Sequence, residues 1–66
     1  MSVAKIIEIS SASSKSFEDA IHKGIARAEK TVSGISGAWI SEQKVTVEKG
    51  KVQEYRVTMR VTFILK

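Results

Sequence analysis

The sequence predicts an α+β domain of order β-α-β-β, a three-stranded antiparallel sheet (order 1-3-2) wrapped around one helix. Three observations carry this. Residues 55–65 alternate strictly, with Tyr55, Val57, Met59, Val61, Phe63 and Leu65 on one parity and Arg56, Thr58, Arg60, Thr62 and Ile64 on the other. Period-two patterning in β-branched and aromatic residues marks a strand with one face in a core. Phe17, Ala20, Ile21, Gly24, Ile25, Ala28 and Val32 recur at spacings of three and four, the stripe of an amphipathic helix. Glu48-Lys49-Gly50-Lys51 separates two strand-like runs as a hairpin turn, with Gly50 at a position that needs positive φ.

Taken in order, Ala4 to Ser10 reads as the first strand, with Ile7 and Ile9 inward and Ile6 and Glu8 outward. Residues 11–16 read as a serine-rich connection ending in Ser16, whose hydroxyl can cap a free N–H near Asp19. Glu18 and Asp19 then place negative charge at the positive end of the helix dipole. The helix is expected over Phe17 to Ser33, with Gly34 as its left-handed stop. Its small residues Ala20, Gly24 and Ala28 let it lie close to a sheet. The second strand is expected from Ala38 to Glu48. There Ala38 and Ile40 share one parity and Val45 and Val47 the other, which predicts a β-bulge near Glu42 to Lys44. The third strand returns from Val52 to Leu65.

At 66 residues the chain makes one domain, residues 1–66, and buries only roughly 60% of the surface its unfolded form exposes. It has no cysteine and no Cys/His cluster, so oligomerisation is the remaining support. Lys5 and Glu8 interrupt the first residues too early for a signal peptide, and no run approaches the ~20 apolar residues of a membrane helix. A soluble, cytoplasmic protein is expected, with no membrane partner. The net charge of +4 permits an anionic partner, but the basic residues are spread and interleaved with acidic ones. A basic nucleic-acid-binding module is therefore the weaker alternative, since Trp39 and Tyr55 are its only stacking candidates and Tyr55 falls on the inner face.

No catalytic constellation is present. His22 is the single histidine and falls on the polar side of the helix, without a nucleophile or an orienting partner. Glu8, Glu18, Asp19, Glu29, Glu42, Glu48 and Glu54 are dispersed, with neither calcium-loop spacing nor a carboxylate pair, so no metal site is expected within one chain. A metal site built between subunits stays open. With one helix, only one sheet face is covered, and the face bearing Trp39, Arg56, Thr58, Arg60, Thr62 and Ile64 needs another subunit, a ligand, or both. Trp39 reads as an interface anchor or as a stacking platform for a flat ligand, the residues alone favouring the first. Arg56 and Arg60 either pair with acidic neighbours or stack on a ring or hold a phosphate.

The chain resembles the dodecins over nearly its whole length, in one continuous register. The resemblance rests on residues 3–9 (Val-Ala-Lys-Ile-Ile-Glu-Ile), 16–21 (Ser-Phe-Glu-Asp-Ala-Ile), 26–32 (Ala-Arg-Ala-Glu-Lys-Thr-Val) and 54–63 (Glu-Tyr-Arg-Val-Thr-Met-Arg-Val-Thr-Phe). It implies a hollow homo-dodecamer in which each sheet wraps its own helix. It also implies a non-enzymatic protein that stores or sequesters a flavin, riboflavin or FMN, between subunits. In the family a tryptophan at the start of the second strand stacks on the flavin ring. A glutamine after the aromatic residue of the third strand contacts the ring, and an acidic residue of the second strand holds the ribityl chain. Carried onto this sequence, the tryptophan position falls on Gly37, with Trp39 two residues later. The glutamine position is Arg56, and the acidic residue matches Glu42. A shift of two keeps Trp39 on the same strand face, displaced by about 6–7 Å. The implied cofactor-binding set is therefore Gly37, Trp39, Glu42 and Arg56. The alternative is the same assembly holding a coenzyme, anion or metal ion, or closed as a purely structural interface.

Overall fold

The computed structural model describes residues 3–65. Its elements follow the predicted order: β1 (Val3–Ser13), α1 (Phe17–Glu29), β2 (Ile35–Glu48) and β3 (Lys51–Leu65). Both strand pairings are antiparallel and the order is β1-β3-β2, so β3 is central and β1 and β2 run the same way on either side of it. The hairpin turn falls on Glu48-Lys49-Gly50-Lys51 as expected, with Glu48 paired to Lys51. Lys49 (φ 54) and Gly50 (φ 78) both lie in the left-handed region, as a two-residue turn matched to the sheet twist requires.

Three boundaries differ from the expected ones by three residues or more, two because pairing with β3 outweighs local propensity and one, the helix end, for a local reason. β1 continues through Ser13, since Ser11, Ala12 and Ser13 pair with Val57, Arg56 and Tyr55 on the central strand. Ser13 is buried and satisfied: its hydroxyl donates to Asp19 Oδ2 and accepts the Lys15 N–H at 2.9 Å. That bond, followed by Lys23 at 3.2 Å, holds the Asp19 carboxyl below its usual value. Ser16 is the N-cap as predicted, accepting the Asp19 N–H at 2.9 Å. The helix stops at Glu29 rather than Ser33. The N–H groups of Thr31 (3.0 Å) and Val32 (2.9 Å) both turn back onto the Ala28 carbonyl, and β-branched Thr31 and Val32 are weak helix formers. Gly34 has φ 80 but is not the helix stop; it bends the chain into β2, its carbonyl accepting the Ile64 N–H at 3.2 Å. β2 then opens at Ile35, three residues before the predicted Ala38, because Ile35 pairs with buried Phe63.

The core is Ala20, Val57, Met59 and Val61, with Ile7, Ile9, Phe17, Ile21, Ile25, Ile35 and Ile40 packed around it. Ile6 and Glu8 are exposed, as the parity of β1 predicts. Leu65 carries the inward parity of β3 yet is 48% exposed. Phe17, at the start of α1, meets Tyr55 edge-on, with ring centroids 5.2 Å apart. From there α1 rests chiefly on β1 and β3. The β2–β3 hairpin runs on past the helix, and the chain measures 51 × 20 × 14 Å. Val45, Val47 and Val52 on that extension stay open to solvent. A compact monomer of this mass exposes about 4,200 Å², whereas this protomer exposes 4893 Å².

Helix and sheet meet closely at Gly24. A Cβ there would lie 2.6 Å from Met59 Cε and 2.9 Å from Ser11 Cβ. Met59 Cε is the end of a flexible side chain and can shift, but Ser11 Cβ sits on a strand held in the ladder and does not give way freely. Alanine would gain about 1 kcal/mol of helix propensity against about 1–3 kcal/mol of overpacking. Gly24→Ala is expected to lower stability by up to about 2 kcal/mol in urea unfolding at fixed protomer concentration. A stabilised variant would show that the helix does not approach the sheet this closely.

Candidate functional site

The candidate site lies on the sheet face that α1 leaves bare, and its layout follows from the register of β2 on β3. Gly37 stands opposite Thr62, Trp39 opposite Arg60, Glu42 opposite Thr58, and Lys44 opposite Arg56. Regular alternation would place Trp39 and Glu42 on opposite faces, because they are three residues apart. The register shifts between Ile40 and Glu42, which leaves Ser41 as the extra residue of a bulge. The predicted parity change is therefore real but falls just before Glu42, not between Glu42 and Lys44. Ser41 closes the gap in the ladder with its own hydroxyl, which donates to the Thr58 carbonyl at 3.1 Å. The bulge turns Glu42 onto the face that Trp39 occupies.

Trp39 is 63% exposed, and Gly37 and Glu42 are exposed beside it. The Arg60 guanidinium sits over the indole, 5.0 Å from the ring centroid. Such a contact is worth about 0.5–1 kcal/mol at an exposed site. On its other side Arg60 Nε lies 3.9 Å from Glu8 Oε2. Glu8, Arg60 and Trp39 thus form one row across all three strands. Arg56 is placed differently. It faces Ala12 and Lys44, four residues along β3 from Arg60, or about 13 Å. Its Nη1 donates to Ser10 Oγ at 2.9 Å and its Nη2 to Glu54 Oε1 at 3.4 Å. The structure therefore brings Gly37, Trp39 and Glu42 together on one strand and sets Arg56 at a distance from the indole.

Arg60, named with Arg56 from the sequence as a residue that could stack on a ring but absent from the implied cofactor-binding set, is the neighbour of Trp39. The signal was present. Counting back evenly from the Lys49-Gly50 turn sets Trp39 opposite Arg60, and the observed register agrees. The shift between Thr46 and Val47 and the shift at Ser41 fall on opposite strands and cancel by the time the ladder reaches Trp39.

The face is open rather than concave. A groove of about 440 Å³ runs on the other side of the sheet, between α1 and the free edge of β1, lined by Ile7, Ile9, Gly24, Ala28 and Val32. None of Gly37, Trp39, Glu42 or Arg56 lines it. A flat molecule stacked on Trp39 would keep one side in water unless a second copy of the chain covered it.

The dodecin family model matches residues 3–66. The calcium dodecin of Mycobacterium tuberculosis is 33% identical over 66 residues, which is 100% of this chain and 93% of the relative. A crystal structure of a mutant of the Thermus thermophilus dodecin superposes with a TM-score of 0.93 at 32% identity, covering 100% of this chain and 98% of that one. The dodecin from Streptomyces davaonensis gives a TM-score of 0.93 at 26% identity, over 98% and 96% of the two chains.

A Cβ added at Gly37 meets nothing within 4 Å, and Gly37 is not among the glycines with positive φ. Gly37→Trp is therefore expected to change unfolding stability by no more than about 0.5 kcal/mol. A loss well beyond that in urea unfolding would show that the position is not open.

Proposed function

The chain belongs to the dodecin family, and on that premise we propose that it is a non-catalytic binding protein assembled as a hollow homo-dodecamer. Its ligand is a flavin, riboflavin or FMN, held between subunits for storage or sequestration. The observation that carries this reading is Trp39: the only tryptophan of the chain stands on the uncovered sheet face, with Glu42 turned onto the same face by the Ser41 bulge. Trp39 supplies the stacking surface. Glu42 supplies acceptors for ligand hydroxyl groups. Gly37 leaves space beside the indole. Arg56, tied to Ser10 and Glu54, shapes the wall further along the face.

Assembly is supported by surface arithmetic. The excess of accessible surface over that of a compact monomer, together with open Val45, Val47 and Val52 on the hairpin and Trp39 and Ile6 on the bare face, gives copies of the chain apolar area to bury. Charge on the bare face is interleaved, Glu8 with Arg60 and Glu54 with Arg56, rather than gathered into a basic stripe. That favours self-association over a polyanion. A second reading follows from the name of the Mycobacterium tuberculosis relative, which specifies calcium. Among the described residues no three His, Asp or Glu side chains converge. A cation would have to draw carboxylates such as Glu42 from more than one copy.

Titration with riboflavin and FMN, followed by flavin and tryptophan fluorescence, is expected to quench both signals at micromolar protein. Trp39→Leu should weaken binding by about 5- to 150-fold, since stacking of a flat base on an aromatic side chain is worth about 1–3 kcal/mol. Absence of any signal change contradicts the flavin reading. Calcium binding by calorimetry in that case would favour the second one.

A further inference from the structure

Arg60 is the fork on the bare face with donors to spare. It contributes only its Nε to Glu8, at 3.9 Å, and both partners are at least half exposed. A pair that long and that wet is weak and salt-screened. Among the described residues its terminal nitrogens donate no side-chain hydrogen bond, whereas both terminal nitrogens of Arg56 are engaged, by Ser10 and Glu54. Arg60 nevertheless has a defined position, because its guanidinium lies over the indole of Trp39, 5.0 Å from the centroid. A planar guanidinium so placed covers one face of the ring and leaves the other for a ligand. It also presents its free edge to any substituent that projects past the ring. That edge matches the oxygens of a phosphate, carboxylate or sulfonate, which accept two parallel N–H bonds.

We propose that Arg60 is the specificity-determining residue of the Trp39 surface, selecting planar aromatic ligands that carry an anionic group over uncharged ones. The inference rests on the reading of Trp39 as a stacking surface and adds the charge class of what it takes. The other charged groups facing this point give the selection a direction. Glu8, across β1, competes for the guanidinium and is displaced from it by a better acceptor. Glu42, one step along β2 and opposite Thr58, repels an anion from its own end of the face. The anionic group of the ligand is thereby directed to the Arg60 side and its hydroxyl groups to the Glu42 side. For a flavin this means FMN before riboflavin.

The test compares FMN with riboflavin, and separately a naphthalene sulfonate with an uncharged naphthalene. Each is titrated into the assembled wild-type protein, Arg60→Gln and Arg60→Lys, with Trp39 emission as the common readout. Wild type is expected to prefer the anionic member of each pair about tenfold at low salt, the preference shrinking as salt is added. Arg60→Gln should bring the ratio close to one while the uncharged ligand keeps its affinity. Arg60→Lys should retain part of the preference, because the charge remains but the fork is lost. An unchanged ratio in Arg60→Gln, or no charge preference in wild type, overturns the role of Arg60. If neither flavin binds but the sulfonate is still preferred through Arg60, the flavin reading fails and the Arg60 inference stands. If no compound of either pair binds, both fall.

Discussion

One helix has to serve three long strands, and the rest of the structure follows from that shortage. α1 has 13 residues, about 20 Å of length at 1.5 Å per residue, against a chain that extends 51 Å. It can cover the middle of β3 with the adjoining parts of β1 and, around Ile35 and Ile40, of β2, and no more. Contact is kept close by small residues. Ala20, Gly24 and Ala28 are the buried positions of α1, and Gly24 leaves no room for even a methyl group against Met59 and Ser11. What the helix cannot reach is the whole opposite face of the sheet and the extension of the β2–β3 hairpin. These are the places where Trp39, Ile6, Val45, Val47 and Val52 stay open.

The bare face acquires its layout from irregularity in β2. A regular strand would carry Glu42 into the core face opposite Val57. The bulge at Ser41 instead puts it opposite Thr58, beside Trp39, and the Ser41 hydroxyl recovers a hydrogen bond to β3. An acidic side chain that would have been costly to bury thus becomes an exposed group on the face of Trp39. Arg60 completes the row. Its cation lies on the indole and against Glu8, so one residue of the central strand links both outer strands.

Much of this was legible in the sequence, because local pattern and tertiary structure agree where burial is strong. The alternation of residues 55–63, the stripe of α1 from Phe17 to Ala28 and the Ser16 cap stand as read. The dodecin resemblance gave the family, which the comparisons bear out. The misplaced boundaries have two causes. Ser11 to Ser13, Thr31 to Ser33 and Ile35 to Gly37 have weak or ambiguous propensities, and long-range pairing with β3 or the turn-back onto Ala28 decides them. The resemblance pointed to Arg56 by position in the chain, whereas the neighbour of Trp39 is set by register across the hairpin, and register makes it Arg60.

The central claim is that the surface α1 leaves uncovered is shared between copies of the chain, so that the Trp39 site exists only in the assembly. Molar mass in solution tests this most directly, by light scattering on the purified, ligand-free protein across a wide concentration range. A single species close to twelve times the 7.3 kDa protomer mass, unchanged on dilution, is the expected result. A monomer or dimer would contradict it, because the bare face would then be solvated and Trp39 would be an exposed side chain without a site.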